Sequence, residues 1–151
     1  MPEKATLERA RKARRSGKSA STQAGEFVRE EMHHIREGKH GAQSAKQAIA
    51  IGLSKARRAG VDLEAPKKGE APKKTREEAK RALKAGRRAS TKRPSARRAK
   101  AATRALKRKG HSAASHRALS RQAHSAAKKR TRTERSAAAR KAARTRARTT
   151  H

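Results

Sequence analysis

The sequence predicts an all-α protein: a small helical hairpin followed by a basic, Ala/Lys/Arg-rich arm that is partly disordered or conditionally helical. Three observations lead there. The large apolar residues concentrate between Phe27 and Leu63 and recur at helical spacing. Beyond them only Leu83, Leu106 and Leu119 remain, in a stretch dominated by Ala, Lys and Arg. Charge divides the opposite way: residues 1–60 carry 14 basic and 6 acidic side chains, residues 61–151 carry 31 and 6. Four segments follow from these shifts: a basic N-terminal segment (1–21), the hairpin (22–62), a Pro/Lys linker (63–74) and the arm (75–151).

The first hairpin helix is expected from about Glu26 to Glu37. Ala24, Phe27, Val28, Met32 and Ile35 line one face, Glu26 suits the positive end of the helix dipole, and Gly38 is placed to end the helix. The second has clearer punctuation. Ser44 and Gln47 form an S-x-x-Q capping box. Ala45, Ala48, Ile49, Gly52, Leu53 and Ala56 then share a face, Arg57 and Arg58 fill the last turn, and Gly60 with Val61 closes it. Gly52 on the packing face lets a partner helix approach closely. The short link His40–Gln43 makes the two helices antiparallel neighbours. A hairpin of roughly 35 residues is too small to be secure alone, so marginal folding or a homodimer through residues 26–60 is expected.

In the linker, Ala65-Pro66-Lys67-Lys68 recurs as Ala71-Pro72-Lys73-Lys74, and the prolines favour extended backbone. Within the arm, Thr75 and Glu78 are expected to box one helix. Pro94 and Ser95 open another that Gly110 stops, Ser112 begins a third, and Thr133 caps a last one. Residues 104–115 (RALKRKGHSAAS) and 117–128 (RALSRQAHSAAK) agree at eight of twelve positions, which suggests a duplicated helical unit. Like charges at i, i+4 oppose these helices by a few tenths of a kcal/mol per pair. Binding to phosphates removes that penalty, so the helices should firm up on a polyanion.

Candidate binding residues are the basic clusters: Arg87, Arg88, Lys92, Arg93, Arg97, Arg98, Lys100, Arg104, Lys107, Arg108, Lys109, Arg117, Arg121, Lys128, Lys129, Arg130, Arg132, Arg140, Lys141, Arg144, Arg146 and Arg148. A net charge of +33 on 151 residues calls for a polyanionic partner. Phe27 is the only aromatic residue, and base recognition in RNA or single strands uses stacking aromatics, so duplex DNA is favoured over RNA. The hairpin, with Arg57 and Arg58 exposed, is a weak candidate for half of a base-reading domain. Thr91-Lys92-Arg93-Pro94 resembles a minor-groove Arg-Pro hook without its glycine.

Other chemistry finds little footing. Without cysteine there is no disulfide, zinc knuckle or thiol catalysis. No acid in the arm is placed to orient a histidine for catalysis, and no phosphate-binding glycine loop occurs. Glu30, His33 and Glu37 share a helical face with His40 just beyond, a donor set of metal-binding type. They are read instead as a Glu–His pair on a wet face, with His34 pointing elsewhere, so no metal or cofactor is assigned. No apolar run of about 18 residues is present to span a membrane, and MPEKATLERARKARR lacks the apolar stretch of a secretory signal. The expected location is the cytoplasm, in association with the nucleoid.

Two resemblances add to this. The linker and arm resemble the Lys/Ala/Pro-rich tails of linker histones and of bacterial histone-H1-like proteins. Residues 25–60, GEFVREEMHHIREGKHGAQSAKQAIAIGLSKARRAG, are similar to a family of short basic bacterial proteins of unknown function that share a KHG…S…KQAIAIGLSKARRAG box. The second resemblance implies a bacterial source and a distinct unit at 25–60, and supplies no site residues. The expected function is sequence-nonspecific DNA binding by a nucleoid-associated, non-enzymatic protein. The alternatives are an RNA- or ribosome-associated protein and a protein-interaction hairpin with a basic tether.

Overall fold

A computed structural model describes residues 2–88 and 95–149. The described residues form seven α-helices: α1 (Lys4–Arg15), α2 (Ala20–Arg36), α3 (Ala45–Arg58), α4 (Lys73–Arg87), α5 (Ala96–Lys107), α6 (His116–Lys128) and α7 (Arg132–Thr149). A 3-10 turn covers Ser112–Ala114, and the only β pairing among them is the isolated bridge between Lys68 and Ala71. The all-α expectation therefore holds. The chain divides into two compact units, Met1–Ser115 and His116–His151.

The first unit is built around the expected hairpin. Ala24 and Phe27 in the first half of α2 cluster with Ala56 near the end of α3 and Val61 just after it, so the helices run antiparallel. Where they cross, a β-carbon built on Gly52 would lie 2.7 Å from the Val28 Cα, so only glycine permits this approach. Phe27, Met32 and Ile35 are buried along α2 as the stripe requires. Each contributes roughly 1.5–3 kcal/mol by leaving water. Ser44 caps α3 by accepting from the Gln47 amide (3.2 Å). The return bond of the box slips by one residue: Gln47 Oε1 accepts from the Gln43 amide (2.7 Å) rather than from Ser44. Gly38 and Gly60 take positive φ, 75° and 89°, as chain reversals after α2 and α3.

Several boundaries differ from expectation. α2 starts six residues early, at Ala20, because Ser19 accepts from the Thr22 amide (3.4 Å) and nucleates a turn through weak helix formers. The basic N-terminal segment also folds. α1 lays Leu7 and the buried Ala10 onto the cluster of α2 and α3. Thr6 is fully buried there too. On the other side α4 packs against α3 through the buried Ala79 and Ala82. These two helices cover apolar faces that the hairpin alone would leave to solvent.

The expected Thr75/Glu78 box does not form. The N-cap of α4 is Pro72, three residues earlier, which leaves Thr75 inside the helix. Ser95 caps α5 as expected, accepting from the Arg98 amide (3.4 Å), while Pro94 lies outside the described residues. The two repeats fold differently. The HSAA of residues 111–114 forms the 3-10 turn, whereas the HSAA of residues 124–127 lies inside α6. Gly110 interrupts the first copy where Ala123 continues the second. The first copy is also pinned: Gly110 accepts from the Ala42 amide (3.1 Å), and the buried Ala114 accepts from Arg36 Nε (2.9 Å).

The second unit has no core. No residue of α6 is buried, and residues 132–148 of α7 are all exposed. The cap of α7 is Thr131 rather than Thr133. Thr131 Oγ1 accepts from the Glu134 amide (3.3 Å), and Glu134 Oε2 accepts from the Thr131 amide (2.8 Å), a full T-x-x-E box.

Candidate nucleic-acid interface

Every Lys and Arg of residues 95–149 is exposed. On α5, Lys100, Arg104, Lys107 and Arg108 line one shallow concavity with Thr103. Their i, i+4, i+7, i+8 spacing puts them on one face, over about 12 Å of helix axis. A duplex presents about seven phosphate charges over that length. Arg97 and Arg98 open the same helix, and Lys109 follows it. Arg117, Arg121 and Lys128 are exposed on α6, with Lys129 and Arg130 just beyond it. Arg132, Arg140, Lys141, Arg144, Arg146 and Arg148 are spread over more than half of the circumference of α7 rather than along one stripe.

The acidic side chains oppose this field weakly. In the second unit Glu134 is the only acid, and it is spent on the cap. Its carboxyl is held below the ordinary value, first by the Thr131 backbone amide and then by the Thr131 hydroxyl. In the first unit Arg87 donates to Asp62 (2.7 Å), with both side chains about two-thirds exposed, a pairing that dissolves at little cost. Arg88 is the exposed C-cap of α4. Lys92 and Arg93, with the Arg-Pro hook they belong to, lie outside the described residues.

Two sequence readings need correction. Arg57 is buried, not exposed. Its guanidinium donates to the carbonyls of Leu63 (3.0 Å) and Glu64 (2.9 Å), fastening the chain that leaves α3, and burial holds it below the ordinary arginine range. It cannot read bases from there. The second correction concerns the histidines. Glu30 turns inward, accepting from the Glu3 amide (3.2 Å), with Lys55 Nζ 3.7 Å away. His33 pairs with Glu37 on the outer surface (2.9 Å). The donors that converge are Glu31, His34 and His40, whose ligand atoms all lie within 4.8 Å of one another. Periodicity could not show this, because the loop after α2 carries His40 back over the helix.

No helix among the described residues is long and apolar enough to cross a membrane. No protein-family model, curated protein or solved structure matches the chain.

Proposed function

We propose that the protein binds duplex DNA without sequence preference, by neutralising phosphates, as a nucleoid-associated histone-H1-like protein with no catalytic role. The observation that carries this is the second unit. Its two helices expose all their cations, bury nothing, and hold one acid between them. α7 has no apolar face to pack, α6 buries none of its residues, and in α7 the like-charge pairs Arg140/Arg144 and Arg144/Arg148 oppose the helix by about 0.2–0.5 kcal/mol each. A polyanion supplies what is lacking, so α6 and α7 are conditionally helical and firm up on DNA. The first unit, by contrast, has its own core and carries the cationic α5 within it. Absence of stacking aromatics favours duplex DNA over RNA, and the cytoplasmic nucleoid is where such a protein would act.

The test is binding of the full chain, and of a chain ending at Ser115, to duplex DNA and to structured RNA at several salt concentrations. Truncation belongs at Ser115 because Ala113 and Ala114 are buried beside α2 and α3. The full chain is expected to bind the duplex more tightly than the RNA, and removal of residues 116–151 is expected to weaken binding and flatten its salt dependence. Preference for RNA would transfer the function to an RNA- or ribosome-associated protein. Affinity unaffected by the truncation would exclude the cationic helices as the binding element.

A further inference from the structure

We propose that Glu31, His34 and His40 form a binding site for a divalent transition-metal ion of the zinc class. The site is independent of nucleic-acid binding. Glu31 is fully buried, and neither of its carboxylate oxygens accepts a hydrogen bond of proper geometry. Beside it Glu30 is buried as well, and the two carboxylates share one ammonium, Lys55 Nζ, at 2.5 Å from Glu31 Oε2 and 3.7 Å from Glu30 Oε1. One negative charge is left over in a place where an unpaired charge is costly.

The two imidazoles are turned toward that charge. His40 Nδ1 lies 3.2 Å from the Gly41 carbonyl and is the nitrogen that carries hydrogen there. Its Nε2 then faces Glu31 Oε1 at 3.2 Å. A lone pair facing a carboxylate oxygen is repulsive unless a cation lies between them. His34 Nε2 is held by Glu3 Oε1 at 2.8 Å. An imidazole with one nitrogen fixed on a carbonyl or carboxylate is the usual arrangement of a metal-binding histidine. The rings meet edge to face, 6.2 Å apart, and are only 12% and 13% exposed, sheltered yet reachable.

The loop carrying His40 is fixed in place. Gly41 donates to the Leu106 carbonyl (3.0 Å), and a β-carbon at Gly41 would collide with the Lys109 carbonyl. Two imidazoles and one carboxylate are the donors of a three-ligand zinc site with its fourth position open to water or an added ligand. Magnesium and calcium, which take oxygen ligands, fit them poorly. Lys55 stays on Glu31 Oε2 and Glu30, and Oε1 turns to the metal.

Cobalt(II) is the probe, titrated into the full chain at neutral pH without nucleic acid. One equivalent is expected to give the visible absorption of a low-coordinate cobalt site, and zinc should displace it. His34→Gln and His40→Gln are expected to abolish the spectrum. Glu3→Gln should weaken affinity by about 10–100-fold, the usual cost of removing such a supporting contact. A chain carrying His111→Gln, His116→Gln and His124→Gln together should keep the spectrum. Circular dichroism checks the fold of each variant. If either histidine variant unfolds, a zinc-dependent rise in the Tm of the unsubstituted chain, lost in the other histidine variant, carries the test. No spectrum at one equivalent, a spectrum unchanged by both histidine substitutions, or one lost only in the triple variant would overturn the proposal.

Discussion

At Gly52 two helices meet backbone to backbone, and a methyl group built there would lie 2.7 Å from Val28 Cα, closer than real β-carbons come. Gly52→Ala should therefore cost about 1–3 kcal/mol by forcing α2 and α3 apart, despite alanine's better helix propensity. Thermal denaturation of the variant reads this directly, and a raised Tm would show that the contact is looser than described. Thr131 makes the opposite kind of contribution, holding an exposed helix by its end. Thr131→Ala should cost α7 about 0.5–2 kcal/mol, visible as fraying in amide NMR signals at the start of the helix. The box also responds to pH. The Glu134 carboxyl is held below its ordinary value, so its contribution is present above the ordinary carboxylate range and is lost as pH falls through the lowered value. The Thr131 and Glu134 amide signals should shift on that descent and stay constant between pH 6 and 8. Gly52 was readable from its place on an apolar face. Thr131 is equally legible: both threonines precede the alanine run, but only Thr131 has a glutamate three residues on, the spacing a capping box needs.

At the scale of elements, legibility followed the size of the apolar residues. α3 could be read closely because Ser44, the Ala/Ile/Leu face and Gly60 agree. α1 and α4 bury small residues, Thr6 and Ala10 in one and Ala79 and Ala82 in the other, beneath many charges. A helix is still expected from the sequence where α4 lies, opened by the Thr75/Glu78 pair, whereas the charged stretch of α1 offers no large apolar residue but Leu7 to mark it. The 3-10 turn was hidden for another reason: the same HSAA string is helical in one place and not in the other, and Gly110 decides between them. For α6 and α7, propensity argues for helix and repulsion against it. The balance implies a gain of helical circular dichroism on adding duplex DNA to the full chain, and little or none for a chain ending at Ser115. An unchanged spectrum of the full chain at saturating DNA would mean that these helices are already complete without phosphate.

For the whole molecule, the sequence located the cations well and their scaffold poorly. The exposed Lys and Arg side chains of residues 95–149 lie where composition put them, since a charge surrounded by like charges has nowhere to go but solvent. What surrounds the hairpin was not readable, because it depends on which distant segments happen to cover its faces. The same holds for the Glu31, His34 and His40 cluster, assembled by a loop that periodicity does not describe. Charge neutralisation has a quantitative signature. Each phosphate engaged releases counterions, so log K falls against log salt with a slope of about −0.9 per contact. The full chain, titrated against a duplex of mixed sequence between roughly 50 and 200 mM salt, should give a slope near −9 if about ten phosphates are engaged, alike for unrelated duplex sequences. A slope near zero, or tight binding confined to one sequence, would contradict phosphate neutralisation as the basis of function.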